Sequence, residues 1–486
     1  MKPISEKKAY VAVCEAFRRS GEGITVADLA AKTALPLSVV KEAAPKAADE
    51  YNGSLSVTES GEILYSFPRG FKSRYRGVGV FLKKALSKAG NVLAVFAKWA
   101  FKVWIMLMLI GYFAFFMLLA LAALLISVAG NSSNNSSSRR SGDGAINLVG
   151  GLFNMIIRLW FYSELFNMDR NYAYGRRPTT KPRGRPLHKA IFSYVFGDGD
   201  PNTTIEQRHK TAVIAFIQAN KGVINLEEYI AITGKTPFDA DREIAAFCAG
   251  FGGSPEVTDD GTIVYRFDDL LLKADASARS IAVPYKQLRH FSGNTKKMNR
   301  WFAVLNTVNL LFGGYFLYNA LIPQTGGLTL FNYLYRVAFV LIGNNAPTAQ
   351  TFFLHALGIV PVVFSLLFWI IPVVRYMKLK KENAGLKLEN LRKIGTRHVY
   401  TAPLTVKPAE IKSSMAEASP ENLTKAQDTI IKELSFFGSP DINAEENGEV
   451  VYSFAGIKRD KAATGKYRDS IDGGKSDLGK VIFSAE

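Results

Sequence analysis

The 486-residue sequence has only two cysteines and five histidines. Cys14 and Cys248 are too few for a disulfide framework or a four-thiolate cluster. Both stand on apolar helical positions, where a buried free thiol is the ordinary outcome. The scattered histidines give zinc or general-base chemistry no constellation to work with. A phosphate-cradling glycine loop and a Ser-His-Asp set are also missing, so the sequence argues against an enzyme and against a resident cofactor or metal. The opening residues Met1 to Lys8 are not followed by an apolar run, and no signal peptide is expected.

Acidic residues are scarce in particular places. The formal net charge is +18, yet the excess is not spread along the chain. Residues 69–102 hold nine Lys and Arg and no Asp or Glu. The stretches 167–190, 269–300 and 375–397 are basic as well, and each adjoins a strongly apolar segment. Positive charge beside apolar runs fits anionic lipid headgroups, and the expected location is the inner (cytoplasmic) membrane, with the soluble domains on the cytoplasmic side. The segments 7–68, 208–268 and 404–454 are net acidic, which disfavours nucleic acid as a partner, because phosphate contacts need Lys and Arg.

Four segments are apolar enough to suggest membrane spans. Val103–Val128 has 26 residues without a charge, sufficient to cross the hydrocarbon. Ile146–Phe166, interrupted by Arg158 and Glu164, reads as its return span. Trp301–Ile322 and Phe352–Met377 form a second hairpin. Leu328–Ile342 contains Arg336 and is too short for an ordinary span, so a re-entrant or interfacial helix is expected there. Charged residues in lipid are costly and mark functional positions by default, which singles out Arg158, Glu164 and Arg336. Snorkelling to the interface is the bland alternative.

A pattern recurs between these segments: Gly61-Glu-Ile-Leu-Tyr-Ser-Phe67, Gly261-Thr-Ile-Val-Tyr-Arg-Phe267 and Gly448-Glu-Val-Val-Tyr-Ser-Phe454. The dipeptides Ser60-Gly61, Asp260-Gly261 and Asn447-Gly448 tolerate positive φ and predict two-residue hairpin turns. Upstream of each lie helical patterns and a proline, Pro36, Pro237 or Pro420. Helix, turn, helix, hairpin is the order of a winged helix, with Gly61, Tyr65, Phe67, Gly261, Tyr265, Phe267, Gly448, Tyr452 and Phe454 as its structural wing residues. Pro45 is expected to kink or shorten the third helix of the first copy.

The expected architecture is a mainly α membrane protein, with about four transmembrane helices in two hairpins and three α+β winged-helix-like cytoplasmic domains. Its parts are a first winged helix (1–68), a basic amphipathic juxtamembrane helix (69–102), a first transmembrane hairpin (103–166) and a basic linker (167–190). A second winged helix (191–270), a juxtamembrane linker (271–299), a second hairpin (300–377, including 328–342), a third winged helix (378–457) and a flexible tail (458–486) follow.

The run Leu187-His-Lys-Ala-Ile-Phe-Ser-Tyr-Val-Phe-Gly-Asp-Gly-Asp-Pro-Asn202, with Gln207-Arg208, Asn220-Lys-Gly-Val and the Gly-x-Ile-Val-Tyr-x-Phe hairpins, resembles an uncharacterised family of multi-pass membrane proteins of cyanobacteria and plastids. Some plant members are similar to proteins labelled with iron–sulfur cluster assembly, a label that two distant cysteines do not support. Asp198-x-Asp200-x-Asn202 opens like a calcium loop. Thr203 and His209 then stand where an EF-hand needs Gly and Glu, so a capping turn is the better reading. The expected function is a membrane scaffold or adaptor whose winged helices bind protein, either other proteins or further copies of the chain in a homo-oligomer. A tethered DNA-binding regulator and a transporter or channel are the alternatives.

Overall fold

The computed structural model describes residues 5–20, 23–67, 71, 74, 78–131, 185–273, 283–322, 331–332, 334–335, 346–403, 405–418, 424–444, 449–471 and 478–485. Among these residues helix dominates, with three small sheets. The chain divides into two compact units. Unit 1 gathers Met1–Lys84, Asp200–Arg289 and Lys381–Glu486, and unit 2 gathers Ala85–Gly199 and His290–Lys380.

In chain order the elements begin with α1 (Glu6–Arg19), α2 (Val26–Thr33), α3 (Leu37–Glu50), β1 (Ser54–Thr58) and β2 (Ile63–Ser66). A long helix follows as α4 (Val78–Met106), a π-helical turn (Leu107–Gly111) and α5 (Tyr112–Asn131). Next come α6 (Leu187–Phe196), α7 (Ile205–Ala219), β3 (Val223–Asn225), α8 (Leu226–Thr233), α9 (Pro237–Phe251), β4 (Ser254–Val257) and β5 (Ile263–Arg266). The chain continues with α10 (Lys296–Leu321), α11 (Ala346–Thr351), a second π-helical stretch (Phe352–Ile359) and α12 (Val360–Thr401). It closes with β6 (Thr405–Val406), α13 (Pro408–Ala418), α14 (Thr424–Gly438), β7 (Asp441–Ala444), β8 (Val450–Ser453), α15 (Ala455–Ser470) and β9 (Val481–Ala485).

Local chemistry sets many of these boundaries. Thr25 and Asn225 each cap a helix reciprocally with an acid three residues on, Asp28 and Glu228, so that two otherwise orphaned N–H groups are satisfied at each start. Thr236 caps α9 with Pro237 at its first position, and Gly252 ends it in the left-handed region. Pro45 lies inside α3, which nevertheless runs unbroken from Leu37 to Glu50; packing of Ala43, Ala44, Ala47 and Ala48 into the core outweighs the lost hydrogen bond.

The first two hairpins differ from the expected two-residue turns. Thr58 N–H donates to Glu62 O and Gly61 N–H to Thr58 O, while Thr258, Thr262 and Gly261 repeat the arrangement. This is a three-residue loop with glycine in the left-handed region, φ +82° at Gly61 and +79° at Gly261. Each hairpin also gains a partner that the sequence pattern did not announce. Ile24 bridges Tyr65, Ile224 pairs with Tyr265, and Val406 pairs with Tyr452.

Unit 1 holds two cores. One is continuous from Val13, Phe17, Leu29 and Val40 to Ile214, Phe247, Phe251 and Phe267. The other joins Leu391 and Val399 of α12 to Ile411, Met415, Ile430, Leu434 and Phe454. The residues after Lys458, expected as a flexible tail, instead form most of α15 and all of β9. Strand β9 pairs antiparallel with β1 and completes the sheet β2-β1-β9. The stretch 191–199, assigned from sequence to the second winged helix, belongs to unit 2.

Unit 2 is built from apolar helices. Among the described residues, three stretches are long and apolar enough to cross a membrane, Val92–Leu121, Lys296–Leu321 and Pro347–Thr401. The first begins inside the region expected to be a separate juxtamembrane helix, because α4 continues without a break into the apolar run. Val92, Leu93, Phe96 and Trp104 point outward from it, as lipid-facing side chains do. The expected second span, 146–166, lies outside the described residues, as does most of 328–342. Inside the unit, Ile105, Leu109, Ile191, Tyr194, Phe302 and Phe368 pack together, and Phe116, Phe316, Phe353 and Leu357 form a second cluster.

Candidate functional site

Arg158, Glu164 and Arg336, the charged residues that the sequence singled out, all lie outside the described residues, as does Gly448. The described hairpin aromatics are structural. Tyr65 and Phe67 pack on Phe17 with ring centroids 5.6 and 4.8 Å away, Phe267 packs on Phe247 at 5.6 Å, and Phe454 is fully buried. His355 is exposed, with Nδ1 3.0 Å from the Thr351 carbonyl in its own helix.

The carboxylates of the 198–202 loop are engaged by arginine. Arg185 forms a forked pair with Asp198, which also accepts from Ser193 Oγ at 2.9 Å and from Gly293 N–H at 2.6 Å. The Arg185 guanidinium is the main reason that the Asp198 carboxyl is held down at about 2. Asp200 is gripped by Arg289, whose other nitrogen reaches Glu382 at 2.7 Å. These pairings leave the loop's acids committed to arginine and backbone partners, while α7, which the loop was expected to cap, begins after Thr204 with no side-chain cap.

Within unit 1, residues 283–289 form a strap without regular pairing, held by three asparagines. Asn390 bonds both the N–H and the C=O of Lys286, at 3.0 and 2.7 Å. Asn383 does the same for Arg289 at 2.9 and 2.8 Å, and Asn202 for Gln287 at 2.8 and 2.7 Å. Seven helical residues on α12 and three extended residues on the strap both span roughly 10 Å, so the two amides and the two backbone positions fall into register.

Under the strap lies Lys393, only 1% exposed. It donates to the carbonyl of Pro284 at 2.6 Å and to His209 Nε2 at 2.7 Å, and its ammonium sits 5.6 Å from the Tyr285 ring centroid. Burial first, then the Lys393 charge, pushes His209 down to about 3, so the imidazole is neutral and accepts through Nε2. Glu227, buried at the start of α8, is pushed up to about 7, mainly by burial. Helix α15 lies beside this capping region. Arg468 pairs with Glu228 at 2.6 Å, and Asn225 Nδ2 donates to Thr464 at 3.0 Å.

The apolar helices of unit 2 carry a polar interior. Asn306 and Asn309 stand one turn apart on α10 and are completely buried, as is Ser365 on α12. Asn309 Nδ2 donates to the Leu109 carbonyl at 2.8 Å, within the first π turn. Tyr112 OH donates to the Ala356 carbonyl at 2.8 Å, within the second. Asn306 Nδ2 donates to the Ser365 carbonyl at 3.0 Å. The side-chain oxygens of Asn306, Asn309 and Ser365 have no partner among the described residues. Gly313 and Gly358 permit this close approach. A Cβ on Gly358 would lie 3.0 Å from Leu317 Cα, and one on Gly313 would lie 3.2 Å from Pro361 Cγ. Sequence reasoning missed these residues because it scanned the spans for charge. The available signal was two asparagines at i and i+3 within an apolar run.

No protein-family model matches the chain. It is similar to an uncharacterised chloroplastic protein of Arabidopsis thaliana, at 25% identity over 410 residues, covering 82% of this chain and 73% of the plant protein. That likeness and the apolar helices associate the chain with a membrane and with a plastid-related set of sequences.

Proposed function

We propose that the chain is a multi-pass membrane scaffold whose unit 1 presents three winged-helix-like modules to protein partners on the basic, cytoplasm-equivalent side of the membrane. The modules on this reading are α1–α3 with β1 and β2, α7–α9 with β3–β5, and the end of α12 with α13, α14 and β6–β8. What carries the preference for protein over nucleic acid is the fate of the third helices. In a DNA reader these would enter the groove. Here α3 and α9 contribute to one continuous core. Leu37 Cδ1 lies 3.5 Å from where a Cβ on Gly252 would sit, and Lys41 bridges Asp269 at 3.4 Å. Acidic composition points the same way.

The surface left for a partner includes apolar side chains on the second and third modules. Phe238 is 79% exposed, Val257 70% and Ile442 64%. Exposed large apolar residues on a folded module suit a protein contact. The test is photo-crosslinking in native membranes, with a photoreactive residue placed at 238 or 442 of the full chain. A specific protein adduct at either position is expected, whether another protein or a second copy. Adducts with nucleic acid, or none above those of a control position on the lipid-facing side of α4, would overturn the reading.

A further inference from the structure

We propose that strand β9 is an interface between two copies of this chain, the strands pairing antiparallel about Phe483 so that the sheet β2-β1-β9 continues into its counterpart across a twofold axis. This contact is separate from the surfaces at 238 and 442 and holds whatever those surfaces capture.

Strand β9 pairs with β1 on one side and, among the described residues, ends the sheet on the other. Its large side chains are uncovered, with Val481, Ile482 and Phe483 at 51, 64 and 62% exposure. Val481 stands opposite Thr58, and Phe483 opposite Val57. Adjacent residues of β1 point to opposite faces and cross-strand partners share a face, so β9 is bare on both faces of the sheet. A helix or a lipid surface laid against the sheet would cover only one of them. A further strand at the edge covers both and also pairs the N–H and C=O groups turned away from β1. The other two sheets end differently. Strand β4 carries Pro255, which has no N–H to give, and β7 opens with Asp441; proline and charge both blunt an edge. From Val481 to Ala485, β9 has neither.

Charge selects a second copy as the occupant. The segment Lys480-Val-Ile-Phe-Ser-Ala-Glu486 has a cation at one end, an anion at the other and Phe483 at its midpoint. Antiparallel pairing of two such segments about Phe483 sets Lys480 of each copy opposite Glu486 of the other, Val481 opposite Ala485, and Phe483 against Phe483. Both charge pairs are then opposite in sign, a large residue meets a small one, and an aromatic pair marks the axis. Parallel pairing in register would instead set Lys480 beside Lys480 and Glu486 beside Glu486, which is destabilising.

The test is light scattering of the purified full-length protein in detergent over a concentration series. A dimer is expected. Lys480→Glu and Glu486→Lys each put two like-charge pairs into the interface and should each raise the dimer dissociation constant about tenfold. Mixed together, the two variants should form a heterodimer of about wild-type strength, since every facing pair is again opposite in sign. Phe483→Cys, in a chain with Cys14→Ser and Cys248→Ala, should crosslink to itself on mild oxidation, while Arg19→Cys on the exposed side of α1 should not. If replacing the buried Cys248 prevents folding, the charge reversals decide. A monomer at every concentration would overturn the proposal and leave the edge to a different protein. A dimer that neither reversal weakens, or one that mixing fails to restore, would overturn it too, by placing the contact between copies elsewhere.

Discussion

Glu227 offers a direct test of how burial governs unit 1. It lies in the first turn of α8, where the helix end favours an acid, but it is only 8% exposed, and Asp460 and Glu228 add negative charge nearby. The folded protein therefore keeps the proton that an unfolded chain would release near the ordinary value of 4.5, and gives it up only at about 7. A carboxyl whose folded value is raised favours the native state at low pH. Its penalty grows as pH rises through 4.5 and is complete above about 7. That interval corresponds to about 3 kcal/mol at pH 8. Glu227→Gln keeps the shape and removes the charge, so it should match the wild type near pH 4.5 and exceed it by about that amount at pH 8. Both cysteines of the chain, Cys14 and Cys248, belong to unit 1, and Cys248 is buried in its core. A thiol-reactive dye followed through a thermal ramp of the full-length protein therefore reports the opening of this unit. A gap between variant and wild type that stays constant from pH 5 to 8, or that favours the wild type at pH 8, would refute the reasoning.

His209 should act in the opposite sense. Its folded value of about 3 lies below the ordinary 6.5, so stability is full above 6.5 and falls as pH drops, by about 2 kcal/mol at pH 5. The fall is best measured in the Glu227→Gln background, where the opposing titration is gone, and His209→Gln should flatten it. Gly234→Ala should destabilise unit 1 by about 3 kcal/mol. Its φ is +71°, and a Cβ would overlap the Glu389 carbonyl and come 2.7 Å from Lys393 Cγ; an unchanged dye-detected midpoint would remove that argument. Asn390→Leu and Asn383→Leu should each cost about 2 kcal/mol and expose 283–289 to limited proteolysis first. Cleavage elsewhere, with the strap still protected, would show that the amides do not hold it.

Features encoded within a few residues were legible from sequence. The caps at Thr25 and Asn225, the Thr236-Pro237 start and the Gly252 stop depend only on neighbours along the chain. The turns at Gly61 and Gly261 were located correctly, but their type was not, because a type I turn with a left-handed glycine uses the same residues as a two-residue turn. Partners distant along the chain left no such mark. Lys393 meets His209 across 184 positions, and neither residue stands in a motif. A five-residue strand such as Val481–Ala485 reads as tail when its partner lies in the first module. In unit 2 the asparagines passed unnoticed because the apolar segments were read for charge and a neutral amide carries none, although burial makes its hydrogen bonding just as demanding.

The pairing of β9 with β1 has a consequence for biosynthesis. Ser56 and Ser484 hydrogen-bond across 428 positions, so the first sheet waits for residues that a ribosome adds roughly 20 to 90 seconds later, at ordinary elongation rates. During that interval the apolar helices have already emerged, while β1 presents an open edge to whatever lies near it. The last strand thus acts as a closing stitch, sealing the first sheet only after the apolar helices have left the ribosome.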